Sequence, residues 1–149
     1  MAEFLIEAIG LNKQYGEGDH EIHVLSDLSL TIRRTERVAI IGESGVGKST
    51  LLHILGMLDQ PNSGQVLLDG QDLFSLSEAE RASIRNSEIG FIFQFHHLLP
   101  DFSALENVTM PGLIAGLSWA EARQRADTML TSVGLADRST HRPGELSGG

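Results

Sequence analysis

Cysteine is absent from the sequence. That removes disulfides and thiolate metal sites and fits a reducing compartment. Basic residues are few as well: 11 Lys+Arg stand against 20 Asp+Glu, for a formal net charge of −9. A field of that sign repels phosphate backbones, so general nucleic-acid binding is disfavoured, and any polyanionic ligand needs a local device that overcomes the global charge. Long apolar runs are missing. Leu51 to Leu58 is interrupted by His53 and is far too short to span a bilayer. The opening MAEFLIEAIG carries Glu3 and Glu7 inside its apolar stretch and has no basic start, unlike a signal peptide. Neither low complexity nor an internal repeat is found. The expectation is a soluble protein that serves a membrane only through a partner.

What is present fits one domain. A chain of 149 residues can bury roughly 70% of its unfolded surface, and 41% hydrophobic with 21% charged residues are globular values. Phe4 to Leu11 reads as a strand, and Leu28, Leu30 and Ile32 alternate with Ser29 and Thr31 as in a half-buried strand. Glu36 to Ile41, with Val38, Ala39, Ile40 and Ile41 in succession, predicts a strand covered on both faces. A glycine-rich stretch follows, and then Leu51, Leu52, Ile54, Leu55 and Leu58 recur at helix spacing. Pro61-Asn62-Ser63-Gly64 predicts a turn, and Gln65 to Leu73 a hairpin about Asp69-Gly70. Three helix starts have capping-box spacing: Ser77 with Glu80, Ser103 with Glu106, and Ser118 with Glu121, the last opening a helix to Val133 that stops at Gly134. Between the first two, Ile89 to Phe93 predicts another apolar strand, ending at Gln94.

GESGVGKST, Gly42 to Thr50, satisfies G-x-x-x-x-G-K-[ST] at Gly42, Gly47, Lys48 and Ser49. Glycines let backbone N–H groups curl around phosphates, and the N-terminus of the following helix adds partial positive charge. In such a cradle Lys48 reaches the β- and γ-phosphates and the Ser49 hydroxyl ligates Mg²⁺. Aligned amides and one ammonium act within a few ångströms, whereas distant carboxylates are screened, so a local cradle is compatible with the acidic net charge. A guanine-nucleotide switch would carry Asn-Lys-x-Asp after the loop. Here the only Asn-Lys pair is Asn12-Lys13, before it. Asp69, after Val66-Leu67-Leu68, could end a Mg²⁺-holding strand, but with Gly70 it reads better as the hairpin turn.

A phosphate loop, a later apolar strand ending in Phe93-Gln94 and a terminal Leu146-Ser147-Gly148-Gly149 together resemble the ATPase domain of ABC transporters. Phe93 to Val108, FQFHHLLPDFSALENV, with the later HRPGELSGG, is similar within that family to the ATPase subunits of lipoprotein-releasing transporters; macrolide-efflux and cell-division subunits share the general pattern. The resemblance implies an α/β phosphate-loop NTPase fold with an antiparallel β subdomain and a helical subdomain, the C-terminal part of the core missing. Residues 1–93 would form the nucleotide-binding core and 94–149 the glutamine loop, helical subdomain and LSGG signature.

It also implies ATP with Mg²⁺ as cofactors. Gly42, Glu43, Ser44, Gly45, Val46, Gly47, Lys48, Ser49 and Thr50 would wrap the triphosphate. Tyr15 would stack on adenine, the alternative being a turn residue beside Gly16. Gln94 would sense Mg²⁺ and the γ-phosphate, the alternative being an ordinary polar strand end. Ser147, Gly148 and Gly149 would contact ATP held by the other subunit of a head-to-tail homodimer. Phe95 to Leu99 would receive the transmembrane subunits at the cytoplasmic face of the bacterial inner membrane, although helical-subdomain core is the other reading, preferred for Phe102 and Leu105. The adjacent His96 and His97 diverge and lack further ligands at metal spacing, and His20 and His23 read as solvated.

The family's Mg²⁺-holding aspartate, general-base glutamate and switch histidine would lie beyond Gly149, which suggests a fragment and an apolar sheet edge laid bare. Two functional readings therefore stand: a transporter ATPase, or a nucleotide-binding fragment without turnover. A chromosome-maintenance ATPase is disfavoured by the acidic charge and the lack of a heptad stretch.

Overall fold

The structure, a computed structural model, describes residues 3–147. It divides into two compact units, Met1–Arg85 and Asn86–Gly149. The division falls inside a helix, not at 93/94.

The first unit is built on a four-stranded antiparallel sheet. Its strands are β1 (Ile6–Tyr15), β2 (Ile22–Ile32), β3 (Ser63–Leu68) and β4 (Gln71–Asp72), in the order β2-β1-β3-β4. β1 runs past the Leu11 end expected from sequence because a bulge resets its alternation. Ala8 and Leu11 are both buried although three residues apart, with Gly10 at φ 59° and the register slipping between them. Gly64 of β3 lies against this bulge. At φ 96° it turns toward β1 so closely that a Cβ there would meet the Gly10 carbonyl oxygen at 2.5 Å. The expected turn over residues 61–64 is thus shorter: Ser63 and Gly64 already belong to the ladder. Asp69 and Gly70, both at positive φ, close the β3–β4 hairpin as predicted.

Besides the sheet residues Ala8, Leu11, Leu25 and Val66, the same unit buries Leu51, Ile54 and Leu55 of α1 (Lys48–Leu55). α1 stops at Gly56. Leu52 and Leu58, counted at helix spacing, are exposed, and Leu58 lies past the helix end. α2 (Glu78–Glu88) begins with the expected box, Ser77 N–H on Glu80 Oε2 at 2.8 Å and Glu80 N–H on Ser77 Oγ at 3.4 Å.

In the second unit, α3 (Ala104–Ile114) and α4 (Trp119–Ser132) form a hairpin, each opened by its predicted capping box, with Gly134 at φ 74° just past α4. Buried Ala104, Thr109, Ala122, Ala126 and Leu130 hold the pair together. The loop at 139–141 feeds α3 as well: Ala104 and Leu105 N–H groups bond the His141 and Ser139 carbonyls.

Two expected strands are not formed. Residues 36–41 and 89–93 carry no ladder, Val38 is 52% and Ile41 91% exposed, and Ile92 is fully exposed. Consecutive apolar residues create a demand for burial, but a strand exists only by pairing, and among the described residues every strand of the sheet is paired within the antiparallel set. No helix among the described residues is long and apolar enough to cross a membrane.

Gly64→Ala is expected to destabilise the first unit by about 2–3 kcal/mol, because the added Cβ meets backbone and not a movable side chain. Denaturant unfolding monitored by circular dichroism measures it.

Candidate functional site

Among the described residues, three of the four α-helices have their first amides occupied by a Ser–Glu capping box. α1 does not. Its N-cap is Gly47, at φ 99°, with no side-chain bond and no acidic residue in the first turn. Only glycine fits there, since a Cβ would lie 2.8 Å from Val24 Cγ1 and 2.9 Å from the Val24 carbonyl oxygen. The helix therefore offers its positive end to an external anion.

Lys48, the first residue of α1, turns back over the loop. Its Nζ donates to the carbonyls of Gly42 at 2.9 Å and Glu43 at 2.6 Å. The ammonium is thereby held at the mouth of the same helix. Gly42 leaves this fold compact, as a Cβ there would lie 2.9 Å from Val46 Cγ1. Ser49 is exposed in the first turn, a hard oxygen donor suited to a hydrated divalent cation. Residues 42–50 thus supply what a triphosphate with Mg²⁺ requires: an open helix end, one ammonium and one hydroxyl.

Tyr15 ends β1. Its hydroxyl donates to Asp59 Oδ2 at 2.6 Å, and the residue stays 43% exposed. Lys13, two residues earlier, places Nζ 2.7 Å from Asp59 Oδ1 and 4.7 Å from the Tyr15 ring centroid. Asp59 lies just past the end of α1, so Tyr15 is joined to the loop that leaves the helix begun at the phosphate loop. Asp59 has no signal in the sequence, because its partner is 44 residues away and no spacing rule links them.

Within the second unit, Gln94 lies in an irregular exposed segment and does not end a strand. Phe95 is exposed, and Leu98 and Leu99 are half exposed. This segment has its own clamp, which sequence reading missed. Asn107 of α3 accepts the Leu99 N–H at 2.9 Å and donates to the Leu99 and Phe102 carbonyls, both at 3.1 Å. Its carboxamide replaces a strand partner for Leu99. Leu98 and His96 line a groove of about 550 Å³ with Leu135, Arg138, Leu146 and Ser147. Gly148 and Gly149 lie outside the described residues.

A family model described as ABC transporter matches residues 25–149. The chain belongs to the ABC transporter family. It is 55% identical, over 97% of its length, to the lipoprotein-releasing system ATP-binding protein LolD of Geobacter metallireducens and covers 64% of that protein. With LolD of Psychrobacter arcticus it shares 56% identity over 97% of the chain and 65% of the relative. The chain therefore spans about two thirds of the length of these ABC relatives. Its fold matches MJ0796, described as a bacterial ABC transporter cassette in a dimeric structure, with a TM-score of 0.86 at 38% identity over 96% of this chain and 63% of that one. A second structure of MJ0796, a dimer bound to ADP and Pi, matches with the same TM-score at 37% identity and the same coverage. The architecture is thus that of the ABC ATPase cassette, an α/β phosphate-loop fold with an antiparallel sheet and helices.

Burial alone would raise the proton affinity of Asp59, but bonds from Lys13, Tyr15 and the Gln60 backbone outweigh it and hold the carboxyl below its ordinary value. The folded state then prefers the carboxylate, so this stabilisation is complete above the unfolded value of about 3.9 and is lost as pH falls through the lower folded value. The stability difference between the native chain and Asp59→Asn is expected to be constant above about pH 5 and to shrink below about pH 4. Urea midpoints measured across that range report it.

Proposed function

We propose that this chain is the ATP-binding part of an ABC transporter subunit that couples ATP binding and hydrolysis to movement of membrane-embedded partners, releasing lipoproteins from the bacterial inner membrane. The observation that carries the reading is the Lys48 ammonium, held at 2.9 and 2.6 Å over the loop carbonyls at the uncapped end of α1. The LolD relatives support the choice of cargo.

In this reading the amides of residues 42–50 and Lys48 bind the triphosphate, while Ser49 and Gln94 hold Mg²⁺. When bound, Mg²⁺ neutralises charge on the β- and γ-phosphates. Tyr15 stacks on adenine through its exposed face. Ser147, Gly148 and Gly149 reach the nucleotide of a second subunit in a head-to-tail dimer; the dimeric, ADP- and Pi-bound MJ0796 supports a nucleotide-binding dimer as such. The segment Phe95 to Leu99 receives the transmembrane subunits at the cytoplasmic face. Gln94 directly precedes it, so nucleotide occupancy biases the partner through this connection. Nucleotide binding without turnover is the alternative, favoured by the lack of strand pairing at residues 36–41 just before the loop, since hydrolysis requires rigid positioning.

Lys48→Ala is expected to weaken Mg²⁺-dependent ATP affinity by about 10- to 100-fold, the value of a charge-assisted bond. Undiminished affinity by calorimetry rejects the cradle, and Lys48-dependent phosphate release decides for hydrolysis over binding alone. Replacing Leu98 and Leu99 with Ser is expected to reduce co-purification with the membrane subunits while sparing ATP affinity; equal loss of both rejects the coupling role.

A further inference from the structure

A base-stacking ring works by presenting a flat face at a set distance from the phosphates. Here that ring is not left to its own rotamers. Both oxygens of Asp59 are committed. Oδ2 accepts the Tyr15 hydroxyl at 2.6 Å, while Oδ1 accepts Lys13 Nζ at 2.7 Å and the Gln60 N–H at 2.7 Å. Lys13 Nζ also donates to the Gln60 carbonyl at 2.7 Å, which fixes the ammonium above the Tyr15 ring, 4.7 Å from its centroid. The Lys13 side chain is only 11% exposed, so this is not a solvated surface pair.

Asp59 is itself fixed to α1. Met57 reverses the chain at φ 57° with its side chain buried, and the N–H groups of Leu58 and Asp59 both bond the His53 carbonyl, at 2.7 and 3.2 Å. From the other side, the end of β1 is fastened to the same loop: Gln14 N–H bonds Asn62 Oδ1 and Asn62 N–H bonds the Asn12 carbonyl, both at 2.9 Å. A continuous set of bonds therefore runs from the helix that starts at Lys48 to the hydroxyl of Tyr15.

We propose that Asp59 and Lys13 are positioning residues for nucleotide binding: Asp59 locks the Tyr15 ring to the phosphate-loop helix, and Lys13 covers one ring face so that the other is presented to a purine base. The proposal rests on the reading of Tyr15 as the adenine-stacking residue. A ring ordered before binding loses no rotamer freedom when the base arrives, so part of the affinity for the nucleoside moiety resides in residues that never touch it. The cation over one face also withdraws electron density from the ring, which favours stacking of an electron-rich purine on the other. Burial and the Asp59 acceptor hold the Tyr15 hydroxyl above its ordinary proton affinity, consistent with a hydroxyl donating to a carboxylate.

The test uses the full chain and two probes, MgATP and Mg-tripolyphosphate, which share the phosphate cradle and differ in the nucleoside. Dissociation constants are measured for the native chain and for Asp59→Asn, Tyr15→Phe, their double variant and Tyr15→Ala. Asp59→Asn and Tyr15→Phe are each expected to weaken ATP roughly fivefold relative to tripolyphosphate, a fraction of a base–aromatic stack, and the double variant no more than either alone. Tyr15 is the single tyrosine of the chain, so phenolate absorbance reads its titration directly, and the transition is expected to move to lower pH in Asp59→Asn. Equal weakening of both probes overturns the proposal, because a merely structural role would affect the cradle too. A ratio unchanged in Asp59→Asn and Tyr15→Phe but lowered in Tyr15→Ala overturns the positioning role and leaves the stacking reading standing. A ratio unchanged even in Tyr15→Ala rejects both. Should Asp59→Asn fail to fold, Tyr15→Phe, which keeps the ring and every charge, decides alone.

Discussion

An α-helix that starts on glycine, with no side chain to satisfy its first amides, has to be completed from outside the chain. In this protein α2, α3 and α4 each close their own N-termini with a serine and a glutamate, and α1 alone among them is left open. That contrast gives a protein with a net charge of −9 a place for an anion. The fixed dipole end and one ammonium act at contact distance, where water screens little, while the carboxylates act from afar. Gly47 is the hinge of the arrangement, since its backbone passes too close to Val24 to admit a side chain.

The sheet serves that helix end more than it serves itself. Its bulge at Gly10, matched by Gly64 on β3, allows β1 to keep one buried row up to Leu11 and still deliver Lys13 and Tyr15 beside the loop that leaves α1. Asp59 joins the two. A carboxylate with every oxygen engaged converts a half-exposed aromatic into a fixed surface. In the second unit Asn107 plays a comparable part, giving Leu99 both a donor and an acceptor where no strand runs alongside. The exposed Phe95 to Leu99 segment is thus held without being buried.

Local signals in the sequence translated well into structure where the partner was close. The three capping boxes, the Asp69-Gly70 hairpin and the Gly134 stop all join residues a few positions apart, and all are present. The strands expected at 36–41 and 89–93 are not, because their apolar runs state only that burial is favourable and not which ladder is to supply it.

The sequence by itself determined the phosphate loop, the family and most helix boundaries, since each depends on residue types at fixed short spacing and on backbone conformations that only glycine adopts freely. Tertiary structure alone decided that Asp59 holds Tyr15, that Lys13 lies over the ring, and that Asn107 secures Leu99. These contacts join segments whose separation along the chain carries no period. They arise only once β1, α1 and the loops around them are packed, when a buried or half-buried polar group must find a partner among whatever the fold has brought within reach.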